Sequence, residues 1–204
     1  PYSSSASEMV AELIQYLGTG AVTRLEAEAL LAGIMLDTRS FVMKAGVRTF
    51  EAAAYLRKLG ADTVEVKRMF SGSMEMYRKK TAIIARAELY KNTAIACDEG
   101  GGPEVRIAAS QAADELLSIK GVEASFTLFN DNGSVNISAR SLGDFNVQLV
   151  MEAIGGGGHL TMAGALLKDT AMEEAQQQLM QAIDKHLEER ERSLAAQLQQ
   201  KDRV

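Results

Sequence analysis

The sequence predicts an α/β fold with mixed strand directions. Three observations point there. Capped helical segments fill the first third, strand-like and helical segments alternate in the second half, and Asn132-Gly133 joins two alternating apolar runs. Both central positions of such a two-residue turn need positive φ, which makes Asn-Gly a strong hairpin signal.

Four helix starts are legible from capping chemistry, in which a side-chain oxygen satisfies a first-turn N–H and a later Glu reaches back. Ser5-Ala6-Ser7-Glu8 opens a helix through Tyr16-Leu17, ended by Gly18 and Gly20. Thr23-Arg24-Leu25-Glu26 opens a second, with Leu30, Leu31, Ile34 and Met35 as its apolar stripe. Asp62-Thr63-Val64-Glu65 opens a third and Thr170-Ala171-Met172-Glu173 the last. The Ala-rich run Thr49 to Leu56 reads as another helix, ended by Gly60. Met69 to Lys91, with apolar residues spread among charges and Ser71-Gly72-Ser73 as an interruption, reads as a connecting helical segment joining two lobes, so a boundary is expected near Ala61–Lys91.

Beyond it, Thr93 to Cys97 is a short strand running into the loop Asp98 to Pro103. A helix over Val105 to Ile119 follows, then strands Glu123 to Phe129 and Ser134 to Arg140. Asn146 to Ile154 reads as a helix, Gly155 to Gly158 as a glycine run, and Ala163 to Leu167 as an apolar strand. The final helix begins near Met172, and past His186 its composition predicts a solvated, fraying tail with His186 facing solvent.

The chain has 204 residues and a net charge of −5, from 22 basic against 27 acidic side chains. A footprint for long nucleic acid is basic, so that class of partner is not expected, whereas a local pocket for a small phosphate-bearing ligand is. Cys97 is the sole cysteine, which rules out an internal disulfide and a Cys-based zinc site. With only His159 and His186, a metal centre inside this chain would be almost wholly carboxylate. No run approaches the roughly 18 apolar residues of a membrane span. The opening Pro1-Tyr2, without Met, suggests a piece of a longer protein. The ten methionines read as core filler, and no GxSxG, phosphate-loop or HExxH pattern occurs.

Two stretches could carry chemistry. With a period of two, Val135, Ile137 and Ala139 share one strand face while Asn136, Ser138 and Arg140 share the other. A hydroxyl and a guanidinium in line suit a phosphate, and a half-exposed solvated strand face is the competing reading. Four consecutive glycines disfavour regular structure and are tolerated where backbone N–H groups approach an anion. His159, directly after them, adds a donor, and a plain linker is the competing reading. Asp37, at the end of the apolar run Leu30 to Leu36, is a carboxylate of the kind that ligates Mg²⁺ or Mn²⁺, or an ordinary helix-terminal Asp.

Taken together, these stretches resemble a known family. Leu36-Asp37-Thr38-Arg39-Ser40-Phe41 looks like the last metal-ligand motif of DHH-type phosphoesterases. Ser138-Ala139-Arg140-Ser141 and Gly155 to His159, followed by Ala163-Gly164-Ala165, look like the DHH-associated substrate-binding domain. Arg48 to Ala53, Tyr55-Leu56-Arg57 and Gly60-Ala61-Asp62 are most similar to the GdpP-type cyclic di-AMP phosphodiesterases.

The resemblance implies a helical remainder of an α/β catalytic lobe over 1–65, a helical linker over 66–91, a small mixed-sheet substrate-binding domain over 92–190 and a charged tail over 191–204. It implies Asp37 as a metal ligand, two Mn²⁺ in the parent protein, and substrate contacts from Ser138, Arg140, Gly156, Gly157, Gly158 and His159, with Asn146 added on location alone. The reaction implied is hydrolysis of cyclic di-AMP to linear pApA. The family's Asp-x-Asp and Asp-His-His motifs do not occur here, so the chain is expected to lack a complete catalytic set and to hydrolyse nothing alone. The implied partners are a cyclic dinucleotide or short adenine nucleotide, the N-terminal segment of the same protein, and a second copy in a homodimer. A cytoplasmic domain of a membrane-anchored parent is the implied location. A nuclease for very short oligoribonucleotides or adenosine bisphosphate, and a non-catalytic nucleotide-binding module, are the alternatives.

Overall fold

The computed structural model describes residues 3–17, 22–101, 103–131 and 133–201. The chain divides into two compact units, Pro1–Gly72 and Ser73–Val204.

Among the described residues the first unit is helical: α1 (Ala6–Leu17), α2 (Arg24–Asp37), α3 (Val47–Lys58) and α4 (Thr63–Met69). Ala11, Ala27, Leu31, Ile34, Ala52, Leu56 and Val66 form its core. α1 crosses α2 closely because position 33 is glycine; a Cβ there would lie 2.1 Å from Ser7 Oγ. The Thr23–Glu26 capping box is complete, with Thr23 N–H donating to Glu26 at 2.7 Å. At Asp62 only half of the expected box forms: Asp62 accepts from Val64 N–H at 2.8 Å, while Glu65 pairs with Arg68. Ser5 caps α1 by accepting from Glu8 N–H at 3.0 Å, but the Glu8 carboxylate reaches one residue further, to Ser4 N–H at 3.0 Å. It also accepts from Thr49 Oγ1 at 2.8 Å, tying the start of α1 to α3. Gly18 and Gly20 lie outside the described residues.

The second unit stacks three layers. α5 (Met74–Ala85) and α6 (Pro103–Leu116) cover one face of a six-stranded sheet, and α7 (Val147–Ala153) and α8 (Met172–Lys201) cover the other. The strands are β1 (Glu88–Tyr90), β2 (Thr93–Asp98), β3 (Ala124–Asp131), β4 (Ser134–Ser141), β5 (Gly157–His159) and β6 (Met162–Lys168). Their order is β1-β2-β3-β4-β6-β5, with β2 and β3 parallel and the other pairs antiparallel. The mixed α/β class is as expected. The β3–β4 hairpin closes with Asp131 opposite Ser134, and Gly133 has φ +79. Asn132 lies outside the described residues. Phe126, Leu128, Ile137, Phe145, Met151 and Leu179 fill the α7/α8 side. Small residues let α6 lie close on the other side: Ala108, Ala109, Ala112 and Ala113 are fully buried. Thr127 Oγ1 donates to Ala109 O at 2.9 Å and Ser125 Oγ to Ala113 O at 2.5 Å.

Four expectations need correction. The segment Met69 to Lys91 is interrupted at Ser71-Gly72-Ser73 as expected but is not a linker of its own: α5 packs on α6 within the second unit, followed by the short edge strand β1. Thr170 does not cap the last helix; its hydroxyl donates to Lys168 O at 2.9 Å and α8 begins at Met172. The glycine run is not wholly irregular, because Gly157 and Gly158 pair with β6 as an edge strand. His186 is not solvent-facing. It continues the buried α8 stripe of Ala175, Leu179, Ala182 and Ile183, is 9% exposed, and its ring centroid lies 4.6 Å from that of Phe145.

His186 has a measurable consequence. Burial, reinforced by the positive charge of Arg190, holds its pKa below the usual value, against a smaller opposing pull from Glu189. The unfolded chain therefore takes up this proton first as pH falls below about 6.5, and native stability drops across that window by up to about 1.4 kcal/mol per pH unit. Thermal melts between pH 7 and 5 are expected to show that slope in the wild type and a flatter one in His186→Leu.

No helix among the described residues is long and apolar enough to cross a membrane.

Candidate functional site

The site is built on the α6 side of the sheet. The strand β4 alternates as its sequence demands: Val135, Ile137 and Ala139 enter the core, while Asn136, Ser138 and Arg140 face α6. That second face is not solvated. Arg106, Ser110 and Asp114, spaced by four along α6, meet Asn136, Ser138 and Arg140, spaced by two along β4. Arg106 Nη2 donates to Asn136 Oδ1 at 3.1 Å, the Ser110 and Ser138 hydroxyls are 3.2 Å apart, and Arg140 Nε lies 3.3 Å from Asp114 Oδ1. Arg140 is nine-tenths buried, and its Nη1 also donates to Ala139 O at 2.9 Å.

Residues directly opposite in an antiparallel pair project from the same sheet face. The register therefore extends this ladder into rows. Arg140 is opposite Met162, which is opposite His159; Ser138 is opposite Gly164, which is opposite Gly157; Asn136 is opposite Leu166. The sequence-predicted Arg140 and His159 thus share one face and one row, two strand spacings or about 10 Å apart. Between them and the Asn136 row lies a floor without side chains, Gly157 and Gly164, flanked by Met162 and Leu166, which are 50% and 49% exposed.

The four consecutive glycines separate by role. Gly155 (φ +82) ends α7: its N–H donates to Glu152 O at 3.1 Å and Gly156 N–H donates to Met151 O at 2.8 Å, the pair of bonds that closes a helix C-terminus on a left-handed residue. Gly156 presses on β6, so a Cβ would sit 2.3 Å from Gly164 O. Gly158 does the same, 2.5 Å from Ala163 Cα. Gly157 has open space where a side chain would go and no positive φ. Backbone conformation explains Gly155 and packing explains Gly156 and Gly158; Gly157 is the one that the fold does not require.

Asn146 serves the fold: its Oδ1 caps α7 by accepting from Gln148 N–H at 3.1 Å and Leu149 N–H at 3.4 Å. Asp37 is the exposed last residue of α2. The chain after it runs through three consecutive non-glycine residues at positive φ, Arg39 (47), Ser40 (57) and Phe41 (67). Such residues cost about 1–2 kcal/mol each. Ser40 N–H to Met35 O at 2.7 Å, Met43 N–H to Thr38 O at 2.8 Å and stacking of Phe41 on Phe50 offset that cost. Among the described residues no group of three or more His, Cys, Asp or Glu could hold a metal ion. The described residues therefore do not by themselves assemble a two-cation centre. In the first unit, a shallow recess of about 810 Å³ between α1 and α3 holds none of the candidate metal or substrate residues, and its Arg48 is paired with Glu12.

Sequence reasoning missed Arg106, Ser110 and Asp114. Their signal was present: polar residues every fourth position on a helix, separated by the alanine pairs Ala108-Ala109 and Ala112-Ala113.

Residues 104–189, which carry every member of these rows, match the DHHA1 domain. This stretch is a DHHA1 domain. Over 92% of its length the chain is 48% identical to the cyclic-di-AMP phosphodiesterase GdpP of Geobacillus thermodenitrificans, and over 90% it is 43% identical to the cyclic-di-AMP phosphodiesterase PdeA of Listeria monocytogenes. It spans 29% and 28% of those two proteins. Among solved structures it is similar to an exopolyphosphatase-related protein from Bacteroides fragilis, with a TM-score of 0.79 and 28% identity over 90% of this chain and 57% of the other. The DHHA1 domain begins one residue into α6 and ends within α8, so Asp37 and the whole first unit lie outside it.

Proposed function

We propose that this chain is the substrate-holding portion of a cyclic-di-AMP phosphodiesterase, with the DHHA1 domain gripping the dinucleotide that the whole protein hydrolyses to linear pApA. The observation that carries this reading is the bare Gly157–Gly164 floor beside the Ser138, Arg140 and His159 side of the sheet. A flat floor of peptide groups accepts the face of a base, and the thioether of Met162 at its edge favours an aromatic ring. His159 and the Ser138 hydroxyl then donate to a phosphate, and Arg140, held in place by Asp114, offers guanidinium donors from the same row as His159. The names of the GdpP and PdeA relatives support the choice of ligand.

Hydrolysis belongs to the complete protein. Asp37 is this chain's one metal ligand in this reading, with Mn²⁺ the metal and the remaining ligands outside the chain. The homodimer and the membrane-anchored parent rest on the resemblance alone.

The test is a calorimetric titration of cyclic di-AMP into the wild type and Gly157→Val. A side chain at position 157 meets nothing within 4 Å, so the variant is expected to fold normally. Filling the floor is expected to weaken binding at least tenfold. Unaltered binding in the folded variant, or no binding by the wild type, overturns the proposal.

A further inference from the structure

We propose that Arg106 is a second anion-holding residue of this site, taking the phosphate of a dinucleotide that lies farther from His159 and so separating dinucleotides from mononucleotides. This rests on the reading of the DHHA1 face as a nucleotide site.

Arg106 is exposed, near the start of α6, and Nη2 donates to Asn136 Oδ1 at 3.1 Å. Asn136 is only 6% exposed, so its amide is a fixed anchor. A neutral amide orients a guanidinium without cancelling its charge. Four other arginines of the unit are paired with carboxylates: Arg86 with Asp98, Arg190 with Glu123, Arg192 with Glu188, and Arg140 with Asp114. Among the described residues no carboxylate pairs with Arg106. Glu104, on the same turn, is taken by Lys79.

The location itself disfavours a cation, because a helix carries partial positive charge at its N-terminal end. An Arg held there by a buried amide and left without a counter-charge is a cost to the fold that a bound anion would relieve. Its planar fork retains donors for a bidentate phosphate contact.

The rows give the spacing. Asn136 and Arg140 are four strand residues apart, about 13 Å, with the Gly164–Gly157 row midway. Donors for an anion therefore stand at both ends of the bare floor, His159 beside Arg140 at one and Arg106 at the other. A ligand with two phosphates can engage both ends, whereas AMP, with one, leaves one end empty.

The experiment is calorimetric titration of cyclic di-AMP and of AMP into the wild type, Arg106→Gln and Arg106→Lys, with thermal melts of each. Loss of one charge-assisted contact is expected to weaken cyclic di-AMP binding by about 10- to 100-fold in Arg106→Gln, with partial recovery in Arg106→Lys. AMP affinity is expected to change less than about twofold, because its single phosphate takes the His159 end. Equal weakening of both ligands, or no weakening of cyclic di-AMP in either variant, overturns the role of Arg106 while leaving the nucleotide site standing. A wild type that binds neither ligand overturns both.

Discussion

Gly156→Ala is expected to destabilise the second unit by about 2–3 kcal/mol and to lower its melting temperature by roughly 5–10 °C. The added methyl carbon would lie 2.3 Å from Gly164 O, 2.6 Å from Ala165 Cβ and 2.8 Å from Ala165 Cα. The first of these contacts is a backbone oxygen in a central stretch of β6, bonded on both sides into the sheet, so it cannot swing away as a side chain would. The strand β5 must move outward, and the closure of α7 through Gly156 N–H and Met151 O moves with it. Gly157→Ala is the control, one residue on and with no atom within 4 Å of its Cβ; it is expected to melt within about 0.5 kcal/mol of the wild type. Circular-dichroism melts of the two variants check this directly. Equal stability of both would mean that β5 does not lie against β6 as described.

Replacing Glu8 with alanine is expected to cost the first unit about 2–3 kcal/mol. Its carboxylate is 1% exposed and accepts from Ser4 N–H at 3.0 Å, from the Ser4 hydroxyl and from Thr49 Oγ1 at 2.8 Å. Removing the acceptor strands those donors in a buried place and unties α1 from α3. Burial by itself opposes ionisation of Glu8, but the hydrogen bonds from Ser4 and Thr49 outweigh it and hold the carboxyl below the usual glutamate value. The sign follows from proton uptake. With the folded value lowered, the unfolded chain binds the proton first, so the stabilisation is complete above the unfolded value of about 4.3 and is lost as pH falls through the folded one. Amide hydrogen exchange in α1 is expected to show the wild type far better protected than Glu8→Ala at pH 6, with the gap narrowing below pH 4. A gap independent of pH would mean that the carboxylate charge plays no part.

Local chemistry made much of this fold readable. The alternation of Val135 to Arg140 and the Asn-Gly pair placed β3 and β4, and the Thr23–Glu26 box placed α2 to the residue. What was not legible depends on neighbours distant in sequence. Gly157 and Gly158 have no intrinsic strand preference; they are a strand only because β6 lies beside them with Gly164 leaving room. His186 reads as a surface residue among Glu188, Glu189 and Glu191, and is buried because Phe145 arrives from a loop far earlier in the chain. In the site itself, Ser138, Arg140, Gly157 and His159 were individually visible, but the helix covering β4 was not. The polar face seen in the sequence is therefore largely occupied by Arg106, Ser110 and Asp114, and the open ground lies one strand further out, on β6 and β5.

The pairing of α6 with β4 works like a vernier, two rulers with nearly equal divisions. Four helical residues advance about 6.0 Å and two strand residues about 6.7 Å, so the two scales part by about 0.7 Å at each step. Three rungs keep the accumulated error near 1.4 Å, within the give of long side chains, but a fourth would exceed what a hydrogen bond tolerates. One turn beyond Asp114, Ser118 already lies past the end of α6 and donates to Glu115 O at 2.7 Å, while β4 ends at Ser141. The mismatch of two repeat lengths is thus absorbed over three rungs, which is as far as α6 and β4 run side by side.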